Sequence, residues 1–443
     1  PPCFARAAAE EILMRIDAAD LRLTDGEAHA VARERFTGTA DALAEVVKRA
    51  DGWAAGLTLL LESASRQDQT ASGRNASASE ELFGYLATQV FEQMPPEERD
   101  FLLDTAILPF FSAAMAADLT SNARAAQIIS SLYRRHLFVH ATGAVERHFQ
   151  YHGLFRDFLA HRVAATQSLQ QRRDACRTAG VVCMRHGHPE QAVDLFVDSG
   201  DWPVAIEALE TVMPECLRQG RHRRLLEWIA CIPPGVAADS PTIQYAEGSA
   251  VAIDDPLRAL ASISMAHRGY LQIRDVAGGA RCACAMIEII FHATADHRAM
   301  LPWIDELARI LENGFQTTDS DLTLRCHASM LIARLFARPD RQLEHSATAV
   351  LAMLPVAVST RQRLLATVYL TIYATFAGRF DLTPALEAQG DHLAGEAQVT
   401  AYDRAHWHLW KAYMLRLAGR YADAVDSAGK ADAIAAAEGF GQI

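Results

Sequence analysis

A chain of 443 residues is longer than one hydrophobic core usually supports, so roughly two to four domains are expected. Half of it is apolar and 22% charged, with alanine and leucine prominent, which argues against extensive disorder and suits a soluble, mainly helical globular protein. Fifty-four acidic against forty-two basic residues leave a net charge of −12, so the surface as a whole is not a basic nucleic-acid footprint.

The 8 cysteines are scattered except for Cys282 and Cys284. That pair has no second pair and no His-x-x-x-His at zinc-ligand spacing, so reduced, mostly buried thiols and no metal site are expected. No charged segment precedes a signal-like apolar stretch, and no uninterrupted apolar run reaches about twenty residues. A cytoplasmic location without membrane contact is the expectation. The chain opens on Pro1 and stops inside a helical pattern at AAAEGFGQI, which suggests a piece of something longer.

In chain order, Thr24 stands three residues before Glu27 in a capping-box arrangement, and Ala28, Val31 and Ala32 follow at helical spacing. A helix over about 25–36 is predicted. Leu43, Val46 and Val47 mark a second helix, Gly52 breaks the pattern, and a third apolar helix starts near Trp53. Residues 65–79, SRQDQTASGRNASAS, lack large apolar side chains and read as a linker, expected to be mobile. After it, EELFGYLATQVFEQM, PPEERDFLLDTAILP and ARAAQIISSLYRRH read as three helices, the second begun by a proline suited to a first turn. Two short β-prone runs around a Thr-Gly turn then precede GLFRDFLAHRV at helical period. Three helices, a two-stranded wing and a closing helix describe a winged helix over 80–165.

From 166 to 443 strand signals nearly vanish. HGHPEQAVDLF, SGDWPVAIEAL, AGRFDLTPALE and AGRYADAVDSA each set a glycine-containing turn before a helix with close-packing alanines. Gly378 and Gly419 fall about one helical-repeat period apart. A degenerate, tetratricopeptide-like α-superhelix is expected, which makes the fold mainly α throughout.

Six blocks in order, IDAADLRLTDGEA, ADGWAAGLTL, ERDFLLDTAIL, SSLYRRHLFVH, FQYHGLFRDFLAHRV and LLEWIACIPPGVAADSP, resemble the middle of the maltose-activator (MalT-like) family. These are large bacterial transcription regulators, signal-transduction ATPases of the STAND class with a LuxR-type output. The resemblance covers residues 1–245 by blocks and the rest by repeat character. It implies that residues 1–64 end an ATPase module and form its helical subdomain, with Pro1 and Pro2 just behind the family's sensor arginine. It further implies that ATP or ADP binds only in a full-length parent and that DNA is contacted only through a C-terminal domain. A small-molecule inducer or a protein partner is expected on the repeats, with self-association in the active state. The stretch contains no G-x-x-x-x-G-K-[ST], so no cofactor is expected on it alone.

The resemblance carries three residues over to a nucleotide. Gly52 and Trp53 belong to GWAAGL, where Ala54 replaces the family's usual proline near the base. His152 matches a winged-helix histidine that approaches the β-phosphate of ADP in the closed state. By residue type alone, His152 reads equally as the end of a strand and cap of a helix, and Trp53 as a core aromatic. The basic run RQGRHRRLLEW, 218–228, reads as a solvated helix edge or as a contact to phosphate or an acidic partner. In HWHLW, 406–410, His406 and Trp410 share a helix face and read either as packing or as a ligand-binding surface. No G-x-S-x-G or H-E-x-x-H constellation occurs, so no catalytic residue is assigned and the chain is not expected to be an enzyme. A free-standing helical-repeat scaffold is the rival to the regulator reading.

Overall fold

The computed structural model describes residues 22–35, 39–50, 88, 91–135, 138–142, 147–294, 296–312 and 319–438, with single positions at 52, 54, 57 and 61. The linker at 65–79, Trp53 and the terminal prolines lie outside the described residues. The chain divides into two compact units, Pro1–Asp201 and Trp202–Ile443.

In the first unit, α1 (Asp25–Arg35) and α2 (Ala40–Ala50) form a small helical pair that buries Ala28, Ala32, Val47 and Ala50. The capping box is formed: the Thr24 N–H donates to Glu27 Oε2 at 2.8 Å, and the Glu27 N–H donates to Thr24 Oγ1 at 3.3 Å. Helix α3 (Pro96–Thr105) has the expected proline in its first turn, and in α4 (Ala113–Thr120) the Ser112 hydroxyl accepts from the Met115 N–H. Helix α5 (Ala125–Arg134) leads into β1 (Val139–Thr142) and β2 (His148–Tyr151), an antiparallel pair in the register Val139 to Tyr151 and Thr142 to His148. Phe111 adds a bridge to Phe149 on the outer edge of β2. Helix α6 (Gly153–Thr166) closes this winged helix over buried Phe101, Leu102, Phe111, Ile129 and Phe155, each such side chain stabilising by about 1.5–3 kcal/mol. Helices α7 (Leu169–Arg185) and α8 (Pro189–Ser199) make an antiparallel hairpin in the same unit. Gly180 lets them approach, since a Cβ there would stand 2.5 Å from the Phe196 ring.

The second unit is helical throughout its described residues. After α9 (Trp202–Arg218), α10 (His222–Cys231) and α11 (Pro234–Asp239) come five packed helix pairs. These are α12 (Pro241–Val251) with α13 (Pro256–Gln272), α14 (Val276–Ala293) with α15 (Leu301–Glu312), and α16 (Ser320–Ala337) with α17 (Leu343–Met353). Then follow α18 (Thr360–Phe376) with α19 (Thr383–Ala394), and α20 (Ala401–Leu417) with α21 (Tyr421–Glu438). From α14 on, the first helix of each pair packs on the first helix of the next, the arrangement of tetratricopeptide-like repeats.

The glycine turns read from sequence are left-handed helix ends, with φ of +77° at Gly187, +73° at Gly200, +71° at Gly378 and +82° at Gly419. At Gly419 the Arg420 N–H donates to the Leu415 carbonyl and the Gly419 N–H to that of Arg416, so the last carbonyls of α20 are satisfied. Each arginine behind such a turn also clasps the preceding pair. Arg379 reaches Glu344 at 3.2 Å, and Arg420 reaches Glu387 at 2.6 Å. Among the described residues one helix, Val276–Ala293, is long and apolar enough to cross a membrane, and 61% of it is buried inside the unit. Cys282, Cys284 and Cys326 are unbridged and buried, as expected of reduced thiols.

Candidate functional sites: a winged-helix histidine and a cavity in the repeats

His152 sits at the corner between β2 and α6. Its N–H donates to the Phe138 carbonyl at 2.8 Å, and its own carbonyl accepts from the N–H groups of Phe155 and Arg156, 2.9 Å each. The backbone therefore finishes a strand and starts a helix, while the side chain does not cap. Instead the imidazole Nε2 lies 3.2 Å from the carbonyl oxygen of Ala50, the last residue of α2. Because a carbonyl only accepts, Nε2 carries the proton.

The corner is rigid. Phe138 holds a left-handed φ of +58°, an unfavourable conformation for an aromatic residue, and its ring stacks on Phe155 at 4.6 Å. The Tyr151 hydroxyl is 2.6 Å from that of Thr105, and Phe155 and Phe158 are buried beneath α6. Gly52, two residues past Ala50, has φ +73°, and its carbonyl accepts from the Leu23 N–H at 2.9 Å. A Cβ at Gly52 would stand 2.4 Å from Arg22 Cγ and 2.8 Å from the Leu23 carbonyl oxygen. Packing of the chain's own 22–23 segment thus explains the glycine. Side-chain N–H groups at this corner come from His152 Nε2 and from Arg22, whose Nε lies 2.8 Å from where a Cβ at Gly52 would stand.

The second site was only half legible. His406, singled out within HWHLW, lines a cavity of about 230 Å³ in the second unit. Trp410 donates its Nε1–H to His406 Nε2 at 2.9 Å, as their shared face implied. Burial pushes the His406 pKa down to about 3, with nearby His292 adding to the shift, so the ring is a neutral acceptor. Trp407 is instead core: its ring fills the space beside Gly390, and its Nε1 donates to Asp391 at 3.0 Å.

Around the cavity stand charged groups that sequence inspection missed. Arg325 on α16 forms a fork on Glu288 of α14, Nε to Oε1 at 2.9 Å and Nη2 to Oε2 at 2.7 Å, and donates from Nη1 to the Tyr245 hydroxyl at 3.0 Å. Burial alone would raise the Glu288 carboxyl, but Arg325 and the Ser329 hydroxyl outweigh it and hold the pKa below the ordinary value. Arg361 of α18 donates its Nε–H to Asp403 of α20 at 2.9 Å, and Asp403 also accepts from Thr400 at 2.7 Å. Tyr369 is fully buried on the cavity wall, and its hydroxyl finds no partner among the described residues. Glu288, Arg325, Tyr369 and His406 recur at roughly one repeat spacing along the first helices of four successive pairs, a periodicity that could have flagged them.

The basic run at 218–228 reads structurally as a helix edge. Arg224 lies 4.6 Å over the Trp228 ring, and Arg223 pairs with Glu227 with 95% of its side chain exposed. No His, Cys, Asp and Glu grouping among the described residues could hold a metal ion.

Residues 87–171 match the model of the MalT winged helix domain, overlapping the stretch read as 80–165. The HTH-type transcriptional regulator MalT of Vibrio campbellii is 30% identical over 174 residues, 38% of this chain and 19% of that protein. The serine/threonine-protein kinase PknK of Mycobacterium tuberculosis is 27% identical over 239 residues, 53% of this chain and 21% of that protein. The chain thus spans about a fifth of these relatives. In fold it is similar to a signal transduction ATPase with numerous domains (STAND) protein with a tetratricopeptide repeat sensor from Pyrococcus horikoshii, with TM-score 0.58 at 14% identity over 94% of this chain and 60% of that one. The chain therefore carries a MalT-type winged helix over residues 87–171, followed by tetratricopeptide-like repeats.

Proposed function

We propose that this chain is the central arm and sensor region of an ATP-dependent bacterial transcriptional regulator acting in the cytoplasm. The repeats bind an inducer or partner, the winged helix passes that event to a nucleotide switch, and a separate DNA-binding domain acts on the outcome, with self-association in the active state. The observation that carries the reading is the bond from His152 Nε2 to Ala50, which joins the MalT-type winged helix to the small helical pair immediately before Gly52. Bound nucleotide would supply negative charge that favours one closed arrangement. His152 contributes a single N–H from a rigid corner, exchanged between the Ala50 carbonyl and a phosphate oxygen, and a charge-assisted bond of that type is worth about 1.5–3 kcal/mol. This chain performs no chemistry of its own in the proposal.

The test uses a longer protein that contains this sequence together with an ATPase module. Reporter transcription should require ATP binding, and deleting residues 202–438 should abolish the response to inducer while ADP still binds. Transcription indifferent to both nucleotide and repeats would leave the scaffold reading in its place.

A further inference from the structure

We infer that the cavity between the first helices of the repeats binds a small carboxylic acid with an apolar or aromatic body, gripped by the guanidinium of Arg361. The inference rests on the sensor reading of the repeats and names the chemistry of what they sense.

Apart from Arg361, the charged groups of the cavity are committed to near neighbours. Arg325 directs three N–H groups to Glu288 and Tyr245, and Glu288 accepts from Arg325 and Ser329. Asp403 accepts from Arg361 and Thr400. A cationic ligand would find both carboxylates already matched. Arg361 is different. Only its Nε is used, and its two Nη nitrogens, with four N–H groups, donate to no acceptor among the described residues while its side chain remains 37% exposed. An open guanidinium fork at the edge of a part-buried cavity suits a planar carboxylate, which it can meet with two parallel bonds.

The remaining surface sets the body of the ligand. Ile253, Ile289 and Leu365 supply apolar wall. The Tyr369 hydroxyl, fully buried and without a described partner, would be satisfied by a hydroxyl or carbonyl on the ligand. His406 presents no charge, since burial keeps it neutral. A volume of about 230 Å³ leaves room for one ring or short chain with a head group.

Calorimetry on the whole chain with hexanoate, benzoate, phenylacetate and 4-hydroxyphenylacetate tests this, with phenylacetamide as the uncharged control. At least one acid should bind, the amide about tenfold or more weaker. Arg361→Gln should weaken the acid by about tenfold or more without changing the amide, and Tyr369→Phe should selectively weaken 4-hydroxyphenylacetate. Leu365→Trp, which fills the cavity without touching charge, should abolish binding, with circular dichroism confirming that each variant folds. No binding by any of these acids, or binding that Arg361→Gln leaves unchanged, would overturn the inference. A neutral ligand that binds and is blocked by Leu365→Trp would also overturn it yet leave the sensor reading standing. Loss of inducer control on deleting the repeats tests that reading separately.

Discussion

The imidazole Nε2 of His152 and the carbonyl oxygen of Ala50 lie 3.2 Å apart across 102 residues of chain, joining the end of α2 to the start of α6. The bond satisfies a carbonyl in the last turn of a helix, which has no partner within that helix. His152→Ala should cost the chain about 1 kcal/mol and leave it folded. In a longer regulator the same substitution should shift the closed-to-open equilibrium by about tenfold to a hundredfold, by the usual tenfold per 1.4 kcal/mol. Reporter activity without inducer is the expected readout. Full inducer dependence, or a collapsed melting transition in the chain, would reduce His152 to a structural tie.

Gly52 and Gly419 share a left-handed backbone but differ in surroundings. At Gly52 a side chain would meet both Arg22 and a backbone carbonyl, whereas a Cβ at Gly419 meets nothing within 4 Å. Gly419→Ala should cost about 1 kcal/mol for the φ alone, and Gly52→Ala about 1–3 kcal/mol more because the 22–23 segment must move. Urea midpoints for the two variants give the comparison. Equal losses would show that the close approach of residues 22–23 contributes nothing.

Acid should unfold the repeat unit partly through His406. Its native pKa of about 3 lies below the ordinary value near 6.5. Between those values the unfolded chain binds a proton that the folded chain refuses, so stability falls as pH drops through this window, by up to about 1.4 kcal/mol per unit. Above pH 6.5 the contribution is constant. His406→Gln keeps an acceptor for Trp410 and removes the titration, so its stability from pH 4 to 6 should fall less steeply than that of the parent. Parallel slopes would mean that His406 is protonated in the folded state.

Local signals carried most of the fold. The Thr24 and Glu27 box, the proline at the start of α3, and the glycines at 187, 200, 378 and 419 each act within a few residues, so a single pass along the sequence finds them. The wing and the position of His152 followed from a strand-to-helix change of period at Tyr151. What His152 touches did not, because Ala50 offers only a backbone carbonyl and has no side-chain signature. The cavity was hidden for a similar reason. Glu288 and Arg325 look like ordinary charges on amphipathic helices until the stacking of α14 on α16 places them fork to fork. Of the cavity residues, His406, adjacent to tryptophans on both faces of its helix, and His222, inside the basic run 218–228, lay in stretches with a local signal.

The Glu288 and Arg325 pair should be the most sensitive point in the second unit. Both side chains are largely shielded, 17% and 16% exposed, and each is the other's main counter-charge. Burial penalises both ions, and their attraction repays that penalty only while both are present. Glu288→Gln keeps size and hydrogen-bonding capacity but leaves the Arg325 guanidinium buried without a carboxylate, which should cost about 3–5 kcal/mol. Arg325→Met strands the carboxylate instead and should cost a similar amount, partly relieved by protonation of Glu288 as pH falls. Combining Glu288→Gln with Arg325→Met removes both charges, so the double variant should be more stable than either single one, with a coupling energy of at least about 1 kcal/mol. Chemical unfolding of the four proteins at pH 7 closes the cycle. Additive losses would show that the two side chains are solvated independently, and the sealed arrangement that leaves Arg361 as the cavity's open cation would fall with them.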